Sequence, residues 1–172
     1  IDKIYLQKLY QHPKIKIIKN LPGDSFLNNE SIDVKNMLNL ENDDLIFLYQ
    51  GKFHNGRGIR FSIKCLSKIK KAVLVLIGDG PMKNQYLETA EIYNMKNRVF
   101  VLDPVPYHNL GAFASTADIG LSLIQPISKS YEHALPNKLF EYAISGLPCI
   151  CSNFEAMQDM IACDVLFRTG IS

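Results

Sequence analysis

The chain has 172 residues, 47% of them hydrophobic, and a formal net charge of +2 at pH 7, which suits one buried core of ordinary domain size. It lacks the dense Lys/Arg stripe of a nucleic-acid binder, since Lys68, Lys70 and Lys71 cluster only briefly, and no apolar run reaches the roughly 18 residues of a membrane span. The four cysteines, Cys65, Cys149, Cys151 and Cys163, show no C-x-x-C zinc spacing, so buried free thiols in a reducing cytoplasm are expected. Ile1-Asp2-Lys3 carries neither an initiator Met nor a signal-peptide pattern, as expected of a piece cut from a longer chain.

Residues 1–11 read as a helix and 15–19 as a short strand. A polar, turn-rich lead-in then runs from Asn20-Leu21-Pro22-Gly23 to Asp44. Residues 1–44 are therefore expected to enter from another domain, and 45–172 to form the domain proper, cut short at its C-terminal end. Apolar runs at 45–50, 72–77, 98–102, 118–124 and 148–151 read as strands. They alternate with helical patterns over 58–69, 83–94, 107–116, 137–145 and 155–162. Ile59, Ile63, Leu66 and Ile69 mark one helical stripe, and Leu110, Phe113, Ala114 and Ala117 another. Such alternation predicts an α/β fold, a Rossmann-like parallel sheet with helices on both faces. Ligands bind such sheets at the carboxyl ends of the strands, so the loops after Gln50, Ile77, Leu102 and Ile124 are expected to converge on one crevice.

The richest stretch is His133-Ala134-Leu135-Pro136-Asn137-Lys138-Leu139-Phe140-Glu141-Tyr142, followed by Gly146-Leu147-Pro148. Pro136 suits the first position of a helix, where its missing N–H costs nothing. The N–H groups of Asn137 and Lys138 would then face an anion. Lys138 and Glu141 share one helical face, with Leu139, Phe140, Ala143 and Ile144 turned inward. The alternative is an ordinary amphipathic helix with a solvated Lys/Glu face. After the first core strand, Gly51, Gly56 and Gly58 allow close backbone approach while Lys52 and Arg57 supply two positive charges. A diphosphate would fit that loop, although it is neither a P-loop nor a G-x-G-x-x-G fingerprint. Gly78-Asp79-Gly80-Pro81 is a turn signal first and a ligand loop second.

Other chemistries find no support. His12, His54, His108 and His133 have no partner at metal-ligand spacing, and no G-x-S-x-G elbow occurs. Asp79, Asp103 and Asp118 stand where turns and strand starts carry Asp. Tyr5, Tyr10, Tyr86 and Tyr93 fall on helical spacing and read as packing residues rather than a base-stacking platform.

Taken in order, Tyr49-Gln50-Gly51-Lys52 with Arg57-Gly58, Ile77-Gly78-Asp79-Gly80-Pro81, residues 99–105 with Ala117-Asp118, and the Leu135 to Tyr142 run with Gly146-Leu147-Pro148 resemble a known pattern. It is that of the donor-binding, C-terminal half of retaining GT-B glycosyltransferases of the group 1 (family 4) type, and it spans residues 15–161. The resemblance implies that Lys52 and Arg57 neutralise the donor diphosphate and stabilise its departure, although the family more often has Arg then Lys. It implies that Glu141, the second carboxylate of a Glu–seven residues–Glu pattern, binds the nucleotide ribose. The first Glu falls at His133, so His133, Tyr131 or Glu132 would have to take over its contact with the donor sugar. The backbone of Leu135, Asn137 and Lys138 would hold phosphates and sugar, Gly51 and Gly58 would admit the diphosphate, and Pro104 and Val105 would meet the base.

A UDP- or GDP-sugar is the implied donor, with no metal or other cofactor. A glycan or lipid-linked acceptor would bind through a preceding domain, and this half alone would bind donor without transferring sugar. The whole enzyme is expected to be a hexosyltransferase of polysaccharide or glycolipid assembly, cytoplasmic, with peripheral association at the inner membrane face as a further expectation. A non-catalytic nucleotide-sugar binding module and a GT-B-type nucleotide-sugar epimerase are the alternatives.

Overall fold

A computed structural model of the protein describes residues 3–11, 16, 20–23, 26 and 32–161. The expected strand over 15–19 lies almost wholly outside the described residues, as do His12 and Cys163, while the side chain of Tyr5 is not among those described. Helix α1 (Lys3–Tyr10) leads the chain, and the stretch before the first strand holds a short helix, α2 (Val34–Met37). The Asp33 carboxylate caps α2 by accepting from the Asn36 N–H.

The remaining elements are β1 (Leu45–Gln50), α3 (Ile59–Leu66), β2 (Ala72–Ile77), α4 (Lys83–Ile92), β3 (Val99–Leu102), α5 (Leu110–Ala114), β4 (Ile119–Ser122), α6 (Lys129–Glu132), α7 (Asn137–Ile144), β5 (Cys149–Cys151) and α8 (Glu155–Ile161). All pairings among the five strands are parallel, in the order β3-β2-β1-β4-β5. The expected Rossmann-like sheet is therefore present. Because side chains alternate along a strand, Ile46 and Leu48 join one core with Leu139, Tyr142 and Phe113. Phe47 and Tyr49 join the other with Ile59, Ile63 and Tyr86.

Strand order reverses between β1 and β4, and here the sheet opens. β1 pairs with β4 only at Phe47 and Leu48, whereas it pairs with β2 along its full length. At its start, Asp118 pins β1 twice, accepting from the Ile46 N–H at 2.7 Å and donating its own N–H to the Ile46 carbonyl at 3.0 Å. At its end, the Tyr142 hydroxyl takes the place of a neighbouring strand. It accepts from the Gln50 N–H and donates to the Leu48 carbonyl, both at 3.2 Å. Gly120 on β4 makes this possible, since a Cβ there would lie 2.5 Å from the Tyr142 ring.

Several sequence expectations need correction. The stripe of α3 ends at Leu66, and Ile69 lies beyond the helix, 43% exposed. Tyr86 is buried as expected, but Tyr10 is 69% exposed. Cys149 and Cys151 are buried, whereas Cys65 faces solvent from the outer side of α3. α6 was not foreseen at all.

Candidate functional site

The loops at the carboxyl ends of β1, β2 and β3 meet around a cleft of about 160 Å³ lined by Gly51, Lys52, Gly78, Asp79, Pro104 and Val105, with Ile77 and Leu110. Three of the four loops expected to converge therefore do. The loop after β4 instead meets the far end of the β1 loop, where the Gln125 N–H donates to the Gly56 carbonyl.

Backbone bonds knit the β1 and β2 loops together. The Gly51 N–H donates to the Ile77 carbonyl at 2.9 Å, and the Phe53 N–H to that of Asp79 at 2.9 Å. Gly78 has φ +146, and a Cβ on it would fall 2.0 Å from the Gly51 carbonyl oxygen. Only glycine permits this approach. Gly58 plays a similar part where the loop enters α3, with φ +73 and the Leu123 carbonyl 2.0 Å from any added Cβ.

α7 enters at the switch point. Its first residue is Asn137, and Pro136 precedes it in an extended conformation (ψ 139) as the cap residue, not as the first helical position expected from the sequence. No side chain caps this start. The inward face is also rotated from the expected one. Leu139, Glu141 and Tyr142 are buried, while Ile144 is 39% exposed. The Tyr142 bonds to β1 fix this rotation, and they carry Lys138 and Glu141 off the solvated face that the alternative reading gave them.

Glu141 accepts a 2.5 Å hydrogen bond from the Gln50 side-chain amide, with Tyr107 as a second hydrogen-bonding neighbour. Burial raises its pKa against the lowering effects of Gln50 and Lys138. The Lys138 Nζ lies 3.5 Å from the centre of the Tyr49 ring and faces Gly51, where an added Cβ would stand 3.5 Å from it. Burial pushes the Lys138 pKa down to about 7, and the nearby Arg57 cation adds to the fall.

Arg57 lies in the far part of the β1 loop, its guanidinium 5.0 Å from the centre of the Tyr131 ring. Its Nε is buried without a hydrogen-bond partner beside a small cavity of about 30 Å³. Tyr131 belongs to α6 and donates its hydroxyl to the Asn55 carbonyl at 3.2 Å. His133 is the residue that ends this helix. Leu135 is partly buried against the core and Asn137 is exposed.

The expected residues thus fall into four groups. Gly51, Lys52, Pro104 and Val105 line one cleft, Lys138 and Glu141 stand at the sheet opening beside it, Arg57 and Gly58 lie farther along the β1 loop, and His133, Leu135 and Asn137 line neither cavity. The placement of Lys138 over the Tyr49 ring and of Arg57 over that of Tyr131 was not anticipated, nor was Tyr107 beside Glu141. Among the described residues no group of His, Cys, Asp and Glu could hold a metal ion, and no helix is long and apolar enough to cross a membrane.

Residues 44–171 match the family model for glycosyl transferases group 1. The fold is similar to that of WaaG, a glycosyltransferase involved in lipopolysaccharide biosynthesis, at 17% identity and a TM-score of 0.74, over 96% of this chain and 46% of that one. It is also similar to a glycosyltransferase from Rickettsia africae, at 16% identity and a TM-score of 0.69, over 92% and 44%. Anabaena HepE, solved in complex with UDP and glucose, aligns at 13% identity and a TM-score of 0.58, over 81% and 36%. The chain thus spans less than half the length of these proteins. No curated protein matches it in sequence.

Proposed function

The chain belongs to the group 1 glycosyl transferases, and from that premise we propose that it is the donor-binding half of an enzyme moving a sugar from a nucleotide-diphosphate sugar to an acceptor. One observation carries this reading. The uncapped start of α7 stands where strand order reverses, with Lys138 turned to Gly51, and Gly51 and Lys52 in turn line the cleft at the ends of β1, β2 and β3 with Pro104 and Val105. Crevices of parallel sheets bind nucleotides at such points. The helix start favours an anion, and Lys52, Arg57 and Lys138 supply positive charge. Pro104 and Val105 offer an apolar wall to a base, and Glu141 offers its carboxylate to ribose hydroxyls.

In this reading the cations act on the leaving diphosphate. Charge developing on the departing phosphate oxygen is met by fixed positive groups, an electrostatic form of catalysis that needs no proton transfer from them. His133, closing α6 next to the Leu135 backbone, is the candidate for the donor sugar hydroxyls. The finer assignments follow the family resemblance: a family 4 type enzyme, retention of configuration, a hexose donor carried on UDP or GDP, and no cofactor. So do a glycan or lipid-linked acceptor held by a preceding domain, with residues 1–44 as the connection, and work in the cytoplasm at the inner membrane face. HepE, with its bound UDP and glucose, supports starting with UDP-sugars.

A thermal-shift screen with UDP-glucose, GDP-mannose, ADP-glucose and a CMP-sugar tests the proposal. A ligand at 100 times its Kd stabilises by about 2.7 kcal/mol, a rise of roughly 5–10 °C for a chain of this size. A flat response to all four would refute it.

A further inference from the structure

Gln50 is the one amide in β1 and β2, two strands of otherwise apolar and aromatic side chains. It closes β1 at the opening of the sheet, only 2% exposed, and two consecutive residues of α7 hold it there. The Tyr142 hydroxyl accepts from its backbone N–H, and the Glu141 carboxylate accepts from its side-chain Nε2. An ionised carboxylate can only accept, so the amide must turn its amino group to Glu141 and its oxygen away. That oxygen, Oε1, is buried without a hydrogen-bond partner. A buried acceptor left unpaired is destabilising, and an apolar side chain of similar length would avoid the loss. Packing by itself therefore does not account for glutamine at this position.

We propose that Gln50 is a positioning residue, whose amide fixes the Glu141 carboxylate from inside the protein and so aims it at the ribose diol of the donor nucleotide. The inference rests on the donor-binding reading, in which Glu141 takes the ribose hydroxyls, and adds to it the residue that sets the aim. A glutamate side chain free to turn would have to be stilled by the nucleotide, at an entropic cost to affinity. Here Oε2 is already held by Gln50, and Glu141 is itself only 6% exposed. Its other hydrogen-bonding neighbour, Tyr107, is 47% exposed in the turn before α5. The buried partner is thus permanent, whereas the Tyr107 hydroxyl can exchange for a ribose hydroxyl, which donates in the same way. The Gln50 amide also works against burial by favouring the ionised, accepting form of Glu141. Gln50 acts only through Glu141.

Calorimetric titration with UDP and GDP, each beside its 2′,3′-dideoxy form, tests this. The native chain is expected to bind the preferred ribonucleotide about tenfold or more tightly than its dideoxy form, the worth of one hydrogen bond to a charged group. Gln50→Met keeps an unbranched side chain of similar length without the amide, and Gln50→Leu is a second apolar replacement. In both, the preference should fall below about threefold, through weaker binding of the ribonucleotide and not of the dideoxy form. A purely structural role would weaken the two forms alike and keep their ratio, and that result overturns the proposal while leaving the donor site standing. Failure of both variants to show a cooperative melt does the same, since it makes Gln50 a packing residue. A native chain that binds both forms equally overturns the ribose role of Glu141 together with this inference. One that binds neither UDP nor GDP overturns the donor site and the inference with it.

Discussion

Replacing Gly78 by alanine tests how closely the β1 and β2 loops must be pressed together to form the cleft. At φ +146 the new Cβ would lie 2.0 Å from the Gly51 carbonyl oxygen and 3.3 Å from the Phe53 ring. A carbon meets an oxygen comfortably at roughly 3.3 Å, so the loops must part by more than about 1 Å. That stretches the 2.9 Å bond from the Gly51 N–H to the Ile77 carbonyl beyond useful range. Forcing a side chain into this backbone region costs about 1–3 kcal/mol, and losing the bond adds about 1 kcal/mol. With 2–4 °C per kcal/mol for a chain of this size, Tm should fall by roughly 10 °C. Gly146→Ala is the control. Gly146 also has a positive φ, +69, but its added Cβ would meet nothing within 4 Å, so only the conformational cost of about 1–2 kcal/mol applies. Calorimetry on the two variants isolates the steric part, and a Gly78→Ala melt within 2–3 °C of Gly146→Ala would refute the argument.

The double substitution Lys52→Ala, Arg57→Ala should weaken nucleotide-sugar binding at low salt and flatten its salt dependence, because two charges near a diphosphate at an open cleft are screened by added ions. Calorimetric titration at two ionic strengths checks this, and unchanged affinity would remove the pair from the site. Glu141→Gln should lower nucleotide-sugar affinity roughly tenfold, the value of one charge-assisted hydrogen bond, with equal dissociation constants as the refuting result. The same variant carries a pH signature: burial raises the Glu141 pKa above 4.5, so the stability this group contributes is whole below that value and is lost as pH rises through the folded one. The melting temperature of Glu141→Gln relative to the native chain should therefore climb as pH rises from about 4.5 through the raised folded-state pKa, and a constant difference would refute the assignment.

The sheet was the most legible part of the chain. β1 and β2 are buried on both faces, so their continuous apolar runs mark their ends to the residue. Helix ends were less legible, since hydrophobic period extends past the last helical turn, as at Ile69. α6 left no periodic signal. Its four residues, Lys129 to Glu132, include no buried side chain, and contacts of Tyr131 with Asn55 and Arg57 tie it to the distant β1 loop. The site was readable as a set of charged and glycine-rich loops, but not as a geometry. That Glu141 would be buried depends on Gln50, 91 positions away, and that Lys138 would turn onto Tyr49 depends on a helix rotation set by one phenol. Gly120, the residue that admits this phenol, looks in the sequence like any small residue of a strand.

The Tyr142 hydroxyl has a consequence for how a ligand would meet this molecule. By bonding both the donor and the acceptor that β1 leaves open past Leu48, it locks the roll of α7 about its own axis before any ligand arrives. A helix held only by greasy contacts could rock through tens of degrees at little cost, and binding would have to arrest that motion, with an entropic loss set against every new contact. Here the arrest is already built into folding, so affinity at the helix start should reflect the contacts themselves. The sheet acts as the ligand's ruler.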